Sequence, residues 1–428
     1  MHADRLSVNT TLFPDSEMPD ILSYVTPADR LAPPPLVNAH IHLPPNFSAF
    51  DTVEQAVELA AEQAVRVIGV SNYYDYQVYA DFTAQARRRG VFPLFGLEII
   101  ALLDDLVQAG IKINDPGNPG KMYICGKGIA RFDPMTAQAQ ELLQAIRDLD
   151  SARMAEVITR LEEVFRAAGL PTGLDEEAIK AGIVRRHGCA MQTVYLQERH
   201  VAQAFQEAIF AQVAPEKRAA ALTRLLGTAP KCDPRDAPGV QNEIRTHLMK
   251  AGKPAYVTET FVGFEHAYRL ILALGGIPCY PTLADGAAPI CPFEEPVERL
   301  ITQIRDRGIY CAEFIPIRNS PEILGRYVRT MRRAGLAVTA GTEHNTRDLI
   351  PLRPTCARGQ AISEDLEAIF WEGACVAAAH QYLVWQGKTG FVDDRGRPNP
   401  AFGSDEERIL AFARLGEAVI SRSLRAGG

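Results

Sequence analysis

The chain has 428 residues, with 45 Lys and Arg against 52 Asp and Glu, a formal net charge of −7, and 47% apolar and 23% charged residues. Those values suit a globular protein with a sizeable core, built as two or three domains or as one large α/β barrel with an insertion. The acidic balance argues against nucleic acid or an anionic membrane surface as a partner, while a local basic pocket for a small anion stays open.

Residues 1–35 read as irregular and end in the rigid Ala32–Pro35 run, APPP. Strand and helix then alternate. LVNAHIH (36–42) reads as a strand, 52–65 as a helix, RVIGVSNYY (66–74) as a β-branched strand, 75–90 as a helix stopped by Gly90, and VFPLFGLEII (91–100) as a strand. Such short-spaced alternation predicts parallel βαβ units. It breaks after about residue 104, at a loop around the short strand in KMYICG. Residues 134–252 are almost wholly helical in pattern, with Pro-containing connectors, and read as an inserted α-helical cap. The alternation resumes at Phe264: strands IPCYPTL, IYCAEFIPI and LAVTAGTEHN each follow a helix. The expected division is therefore an irregular segment 1–35, a discontinuous β/α barrel over 36–133 and 253–390, a helical cap over 134–252 and a helical tail over 391–428.

No apolar run approaches the roughly 18 residues of a membrane-spanning helix. The first twenty residues carry no basic region followed by an apolar one, and the eight cysteines form no Cys-x-x-Cys. Reduced cysteines and a cytoplasmic setting are the expectation.

In βα architectures chemistry gathers where strands end. The polar residues there are His40 and His42, Asn72 and Tyr73, Glu98, Tyr123, Tyr280, Glu313 and Arg318, and Glu343 and His344. His-x-His on a strand turns both imidazoles to one face, about 6–7 Å apart by strand rise, close enough to chelate. Two imidazoles plus the carboxylates of Glu98 and Glu343 make a mixed nitrogen–oxygen donor set that suits Zn, Mn or Fe(II).

Several segments in the same order resemble the polymerase-and-histidinol-phosphatase (PHP) family of metal-dependent phosphoesterases. They are VNAHIHLPPNFS, VIGVSNYYDY, PLFGLEI, GKMYICGKGI, ERHVAQAF, AYRLILALGGIPCYPTL, GIYCAEFIPIRNSPE and GLAVTAGTEHNT. The resemblance spans roughly 36–350. It implies a distorted (β/α)7 TIM-like barrel with an inserted helical cap and a site for up to three metal ions. Carried over by position, the ligands of the first metal match His40, His42, Glu98 and Glu343. The private ligands of the other two fall on Tyr123 and Tyr280, and on about Ser48, Tyr73 and Asn345. One metal position keeps its donors and two have lost theirs, so the reading is a site for a single divalent ion.

One open metal position supports a metal-activated water, hence a hydrolase of a small polar substrate. Tyr73, Tyr123 and Tyr280 supply phenolic donors. His344 and Glu313 are candidates for acid/base work, each with a supporting or ion-pairing role as the alternative. Arg318, Lys121, Lys127 and, through the family-like ERH segment, Arg199 are candidates to bind a substrate carboxylate or phosphate, with Asn345 beside them. Two other functions stay open: a PHP-type phosphoesterase with two or three metals, and a non-catalytic ligand-binding protein on the same scaffold.

Overall fold

The structure is a computed structural model that describes residue 31 and residues 33–426. Most of the irregular segment expected over 1–35 lies outside the described residues. In chain order, β1 (Leu36–Ile41), α1 (Val53–Glu62), β2 (Val65–Val70), α2 (Val78–Arg88) and β3 (Phe92–Leu102) follow the expected alternation. A short helix α3 (Asp104–Gln108) leads to β4 (Lys121–Lys127). The helical stretch holds α4 (Ala137–Ala167), α5 (Glu176–His187), α6 (Glu198–Gln212), α7 (Arg218–Leu226) and α8 (Ala237–Ile244). The short β5 (Val262–Gly263), α9 (Phe264–Ala273), β6 (Ile277–Thr282), α10 (Val297–Arg305), β7 (Cys311–Phe314), α11 (Pro321–Arg333) and β8 (Ala337–Ala340) follow. Two long helices, α12 (Glu364–Trp385) and α13 (Asp405–Ala426), end the described chain.

The strands form a nearly closed sheet in the order β1-β2-β3-β4-β6-β7-β8, with β5 on the end of β3. The architecture is a TIM-like barrel with added helices. One strand departs from the all-parallel expectation: β4 runs antiparallel to both β3 and β6. Its cause is local. Between β3 and β4 the only helix is the five-residue α3, too short to carry the chain back along the barrel as a parallel crossover requires. The seam between the first and last strands closes through backbone bonds. Glu343 N–H donates to His40 O at 2.8 Å, and His42 N–H donates to Glu343 O at 2.9 Å. Gly341 permits that approach, because a Cβ there would lie 2.3 Å from His40 Cβ.

The helices bury the faces their spacing predicts. In α10, Val297, Leu300, Ile301 and Ile304 are buried, one stripe at i, i+3, i+4, i+7. α11 starts with Ser320 capping Ile323 N–H and Pro321 at its first position, the chemistry that favours a helix start. α12 is buried almost all round, as its apolar, alanine-rich sequence requires, and packs on β8, β1, β3 and α13.

The buried apolar side chains fall into two clusters, one filling the barrel with α12 and α13, the other among the helices from Met154 to Ala255. The change falls within α4. Its Leu142, Leu143 and Ile146 belong to the barrel cluster, and its Met154, Val157 and Leu161 to the helical one. One 31-residue helix thus ties the helical stretch to the barrel. No helix among the described residues is long and apolar enough to cross a membrane.

Candidate metal centre

Alternation along β1 sends His40 and the following His42 into the barrel, where Glu98 of β3 meets them. His40 Nε2 lies 3.3 Å from His42 Nε2, and Glu98 Oε2 lies 3.6 and 3.2 Å from those two nitrogens. Nitrogen and oxygen ligands at 2.0–2.1 Å around a tetrahedral ion sit about 3.3–3.4 Å from one another. The three atoms therefore stand at the separations such an ion imposes. All three residues are at most 4% exposed. Glu98 Oε2 has no hydrogen-bond partner among the described residues, a costly state for a buried oxygen unless something else binds it.

A charged chain lies beneath. His40 Nδ1 is 2.6 Å from Glu313 Oε2, and Lys127 Nζ is 2.5 Å from Glu313 Oε1. Lys127 also donates to Ala39 O and Ser71 Oγ. A carboxylate only accepts, so His40 Nδ1 carries the proton that binds Glu313, and an ion at Nε2 would take the ring in its neutral form. This is the carboxylate–imidazole pairing that orients a metal-binding histidine. Burial would lower the His40 pKa, but the Glu313 charge together with hydrogen bonds to Glu313 and Cys125 holds it well above the usual value. Burial would raise Glu313, yet Lys127 and His40 hold it below the carboxylate range. Burial would raise Glu98, but the charge of the two neighbouring histidines holds it low.

Above the three donors opens a cavity of about 490 Å³ lined by Tyr73, Tyr123, Glu343, Asn345 and residues of the helical stretch, within the range of small-molecule sites. The Tyr73 ring stacks on His42 at 5.3 Å. Burial and nearby carboxylates push the Tyr73 phenol well up, and burial takes Tyr123 to about 12. Both are thus neutral O–H groups at physiological pH. Arg318 grips Glu343 with two bonds, 2.8 Å to Oε1 and 2.5 Å to Oε2, and Asn345 Nδ2 donates to Oε2. Glu343 is therefore not one of the converging donors expected from the sequence: its carboxylate is engaged by Arg318 and Asn345, leaving three.

Four further expectations are corrected. Tyr280 points out of the barrel, because it alternates with the inward Cys279; it is fully buried and its hydroxyl donates to Glu294 Oε1 at 2.9 Å. His344 has both ring nitrogens engaged. Its Nε2–H donates to Ile350 O, so Nδ1 accepts from Thr342 Oγ1, and burial lowers its pKa to about 4. It fastens the turn after β8 and does not line the cavity. Lys127 lies 3% exposed under the donors and has no face toward substrate. Glu313, with both oxygens bound, supports His40 and is not a free base. Lys121 does line the cavity, but Glu259 at 2.8 Å and Asp115 at 3.3 Å engage its ammonium.

The helical stretch adds Arg153, Arg245 and Lys250, cavity residues that carry no sequence motif, beside Glu198 and Arg199 of the ERH segment. Glu198 binds Arg153 at 2.8 Å and Lys250 at 2.7 Å, with Arg245 at 3.5 Å. Arg245 Nε has no hydrogen-bond partner among the described residues. The Arg199 guanidinium has no ion-pair partner among the described residues, and burial followed by repulsion from Arg245 lowers its pKa to about 10. Arg153, Lys250 and Arg245 share the single carboxylate of Glu198. Positive charge is therefore in excess at Arg199 and in the neighbouring Glu198 cluster, to which Arg245 belongs.

No family model matches the chain, and no curated protein matches it significantly. Among solved structures, a candidate metal-dependent phosphoesterase of Bifidobacterium adolescentis aligns over 78% of this chain and 94% of its own, at 14% identity and a TM-score of 0.51. An amidohydrolase of Chromobacterium violaceum, solved with sulfate and no metal, aligns over 78% and 96%, at 18% identity and a TM-score of 0.48. At these identities the likeness to the first establishes a shared fold.

Proposed function

We propose that the chain is a metal-dependent hydrolase of a small anionic substrate, with one divalent ion (Zn, Mn or Fe) held by His40, His42 and Glu98. The observation that carries this reading is the convergence of two Nε2 atoms and one partnerless carboxylate oxygen at 3.2–3.6 Å. Three protein donors with a position left open is the pattern of catalytic sites, whereas structural sites close all four. The Bifidobacterium protein, which shares the barrel, is described as metal-dependent.

When bound, a divalent ion supplies Lewis acidity, polarising a substrate oxygen and drawing the pKa of water toward about 7. The chain supplies the remainder. Glu313 fixes the His40 tautomer and ring. Tyr73 and Tyr123, kept protonated, donate O–H bonds where negative charge develops. Arg199 and Arg245 hold an anionic group away from the reacting bond, as guanidinium groups suit carboxylate and phosphate oxygens. The helical stretch 134–252 acts as a cap whose inner residues set substrate choice.

The test strips the protein with chelator, reloads it with Zn or Mn, and screens amides, lactones and phosphate esters that carry a second anionic group. About one ion per chain is expected, lost in Glu98→Gln, with hydrolysis that depends on the ion. Phosphate release would favour the phosphoesterase reading, which the cationic cavity and the shared barrel also support. A reloaded protein that binds no ion would refute the proposal and leave a ligand-binding protein on this scaffold.

A further inference from the structure

Arg318 is an unusual occupant of such a cavity. It follows β7 on the turn Pro316–Arg318 and reaches across to the far seam of the barrel, where it covers both oxygens of Glu343. Glu343 is itself fixed. Its backbone is bonded to His40 and His42, and its φ is +61°, a left-handed conformation that a non-glycine residue holds only under constraint from its surroundings. The carboxylate is thus set beside the three metal donors but withheld from them. The Arg318 charge is further supported by Glu98, itself one of those donors.

Two-metal centres place their ions about 3.5–4 Å apart, and each ion needs carboxylate or imidazole ligands of its own. Glu98 can be shared between two ions. Among the described carboxylates lining this cavity, Glu343 is the one fixed on the same seam as the two histidines, and both its oxygens are taken. We propose that Arg318 serves as the second cation of this centre: by holding Glu343 and carrying a fixed positive charge beside Glu98, it limits the site to one metal ion.

The charges agree. Glu98 and Glu343 bring two negative charges and Arg318 one positive, while Glu313 and Lys127 cancel. One divalent ion then leaves a net charge of about +1, matched by a single hydroxide or one anionic substrate group. A second divalent ion beside the guanidinium would leave about +3, unmatched by any free carboxylate of the seam. The guanidinium has five N–H donors of which two bind Glu343. The rest remain for a substrate oxygen, the role a second metal fills in a binuclear hydrolase.

This inference rests on the metal reading above, and the experiment separates the two. Native protein, Arg318→Ala and Arg318→Lys are stripped, reloaded with Mn, freed of excess ion, and analysed for metal per chain and for exchange-coupled Mn pairs by electron paramagnetic resonance. About one ion is expected on the native and lysine proteins. About two, with a coupled spectrum, are expected on the alanine protein, falling back to one when Glu343→Gln is added. An alanine variant that melts like the native protein and still binds one ion would overturn the role of Arg318, as would two ions on the native protein. No ion on any of them would overturn the metal reading, and this inference with it. Should Arg318→Ala fail to fold, Arg318→Gln keeps the side-chain stem, and the same outcomes decide.

Discussion

Replacing Lys127 by Met tests the ion chain that supports the donors. Lys127 and Glu313 are 3% and 0% exposed, and their charged atoms stand 2.5 Å apart. Removing the ammonium leaves the Glu313 carboxylate buried with His40 as its remaining ionic partner, and leaves Ala39 O and Ser71 Oγ without this donor. Breaking one side of such a pair costs about 3–5 kcal/mol, mostly from the stranded charge. Replacing both partners by neutral groups costs less, so Lys127→Met/Glu313→Gln is expected to be more stable than Lys127→Met alone. In a chain this large a loss of 3–5 kcal/mol lowers the apparent melting temperature by roughly 5 °C or more. Scanning fluorimetry at pH 7 and amide exchange in β4 read the effect. A cation used for substrate binding would behave differently: its loss would leave melting unchanged. A Lys127→Met protein that melts within about 1 °C of native, with unaltered exchange, refutes the reasoning.

Other expectations follow from single contacts. Gly341→Ala would place a Cβ 2.3 Å from His40 Cβ; the seam must shift, and we expect a loss of more than about 2 kcal/mol together with at least tenfold weaker metal binding by calorimetry. Glu294, raised to about 7 by burial against hydrogen bonds from Leu283, Ala284 and Tyr280, binds its proton more tightly folded than unfolded. Its contribution is therefore fully present below about pH 4.5 and lost as pH rises through 7, by about 3 kcal/mol. Measured against Glu294→Gln, native stability should fall between pH 5 and 8, and a flat difference would refute the burial argument. His344, lowered to about 4 by burial, should show no imidazole titration by NMR between pH 5.5 and 8. Its stabilising effect should be present above pH 6.5 and lost as pH falls toward 4.

Much of the scaffold was legible in the sequence because it depends on local periodicity. The apolar stripes of α10 and α11 and the β-branched run of β2 specify helix and strand before any partner is known. The His-x-His spacing is also local: on a strand two residues apart means one face, so the convergence of His40 and His42 needed only β1 to be a strand. The reversed direction of β4 was less visible. It depends on the length of one connection, and β4 is buried along nearly its whole length on both faces, so its pattern carries no direction.

The pairings across the barrel were decided by tertiary structure alone. In β6 the sequence Pro-Cys-Tyr-Pro cannot say which parity faces inward when both faces are buried, and the register with β4 and β7 puts Cys279 inside and Tyr280 against Glu294. Nothing near Lys127 in sequence announces Glu313, and nothing near Glu343 announces Arg318; each pair is set by strand order and stagger. Arg245, on a short helical turn with no motif, reaches the cavity only because α4 and α6 bring the helical stretch over the mouth. The sequence by itself determined which elements form and which residue types end the strands, because those follow from spacing along one chain. Which charges meet was settled by the closed barrel, because burial forces every ionic group inside it to find a partner, and the partners lie on other strands.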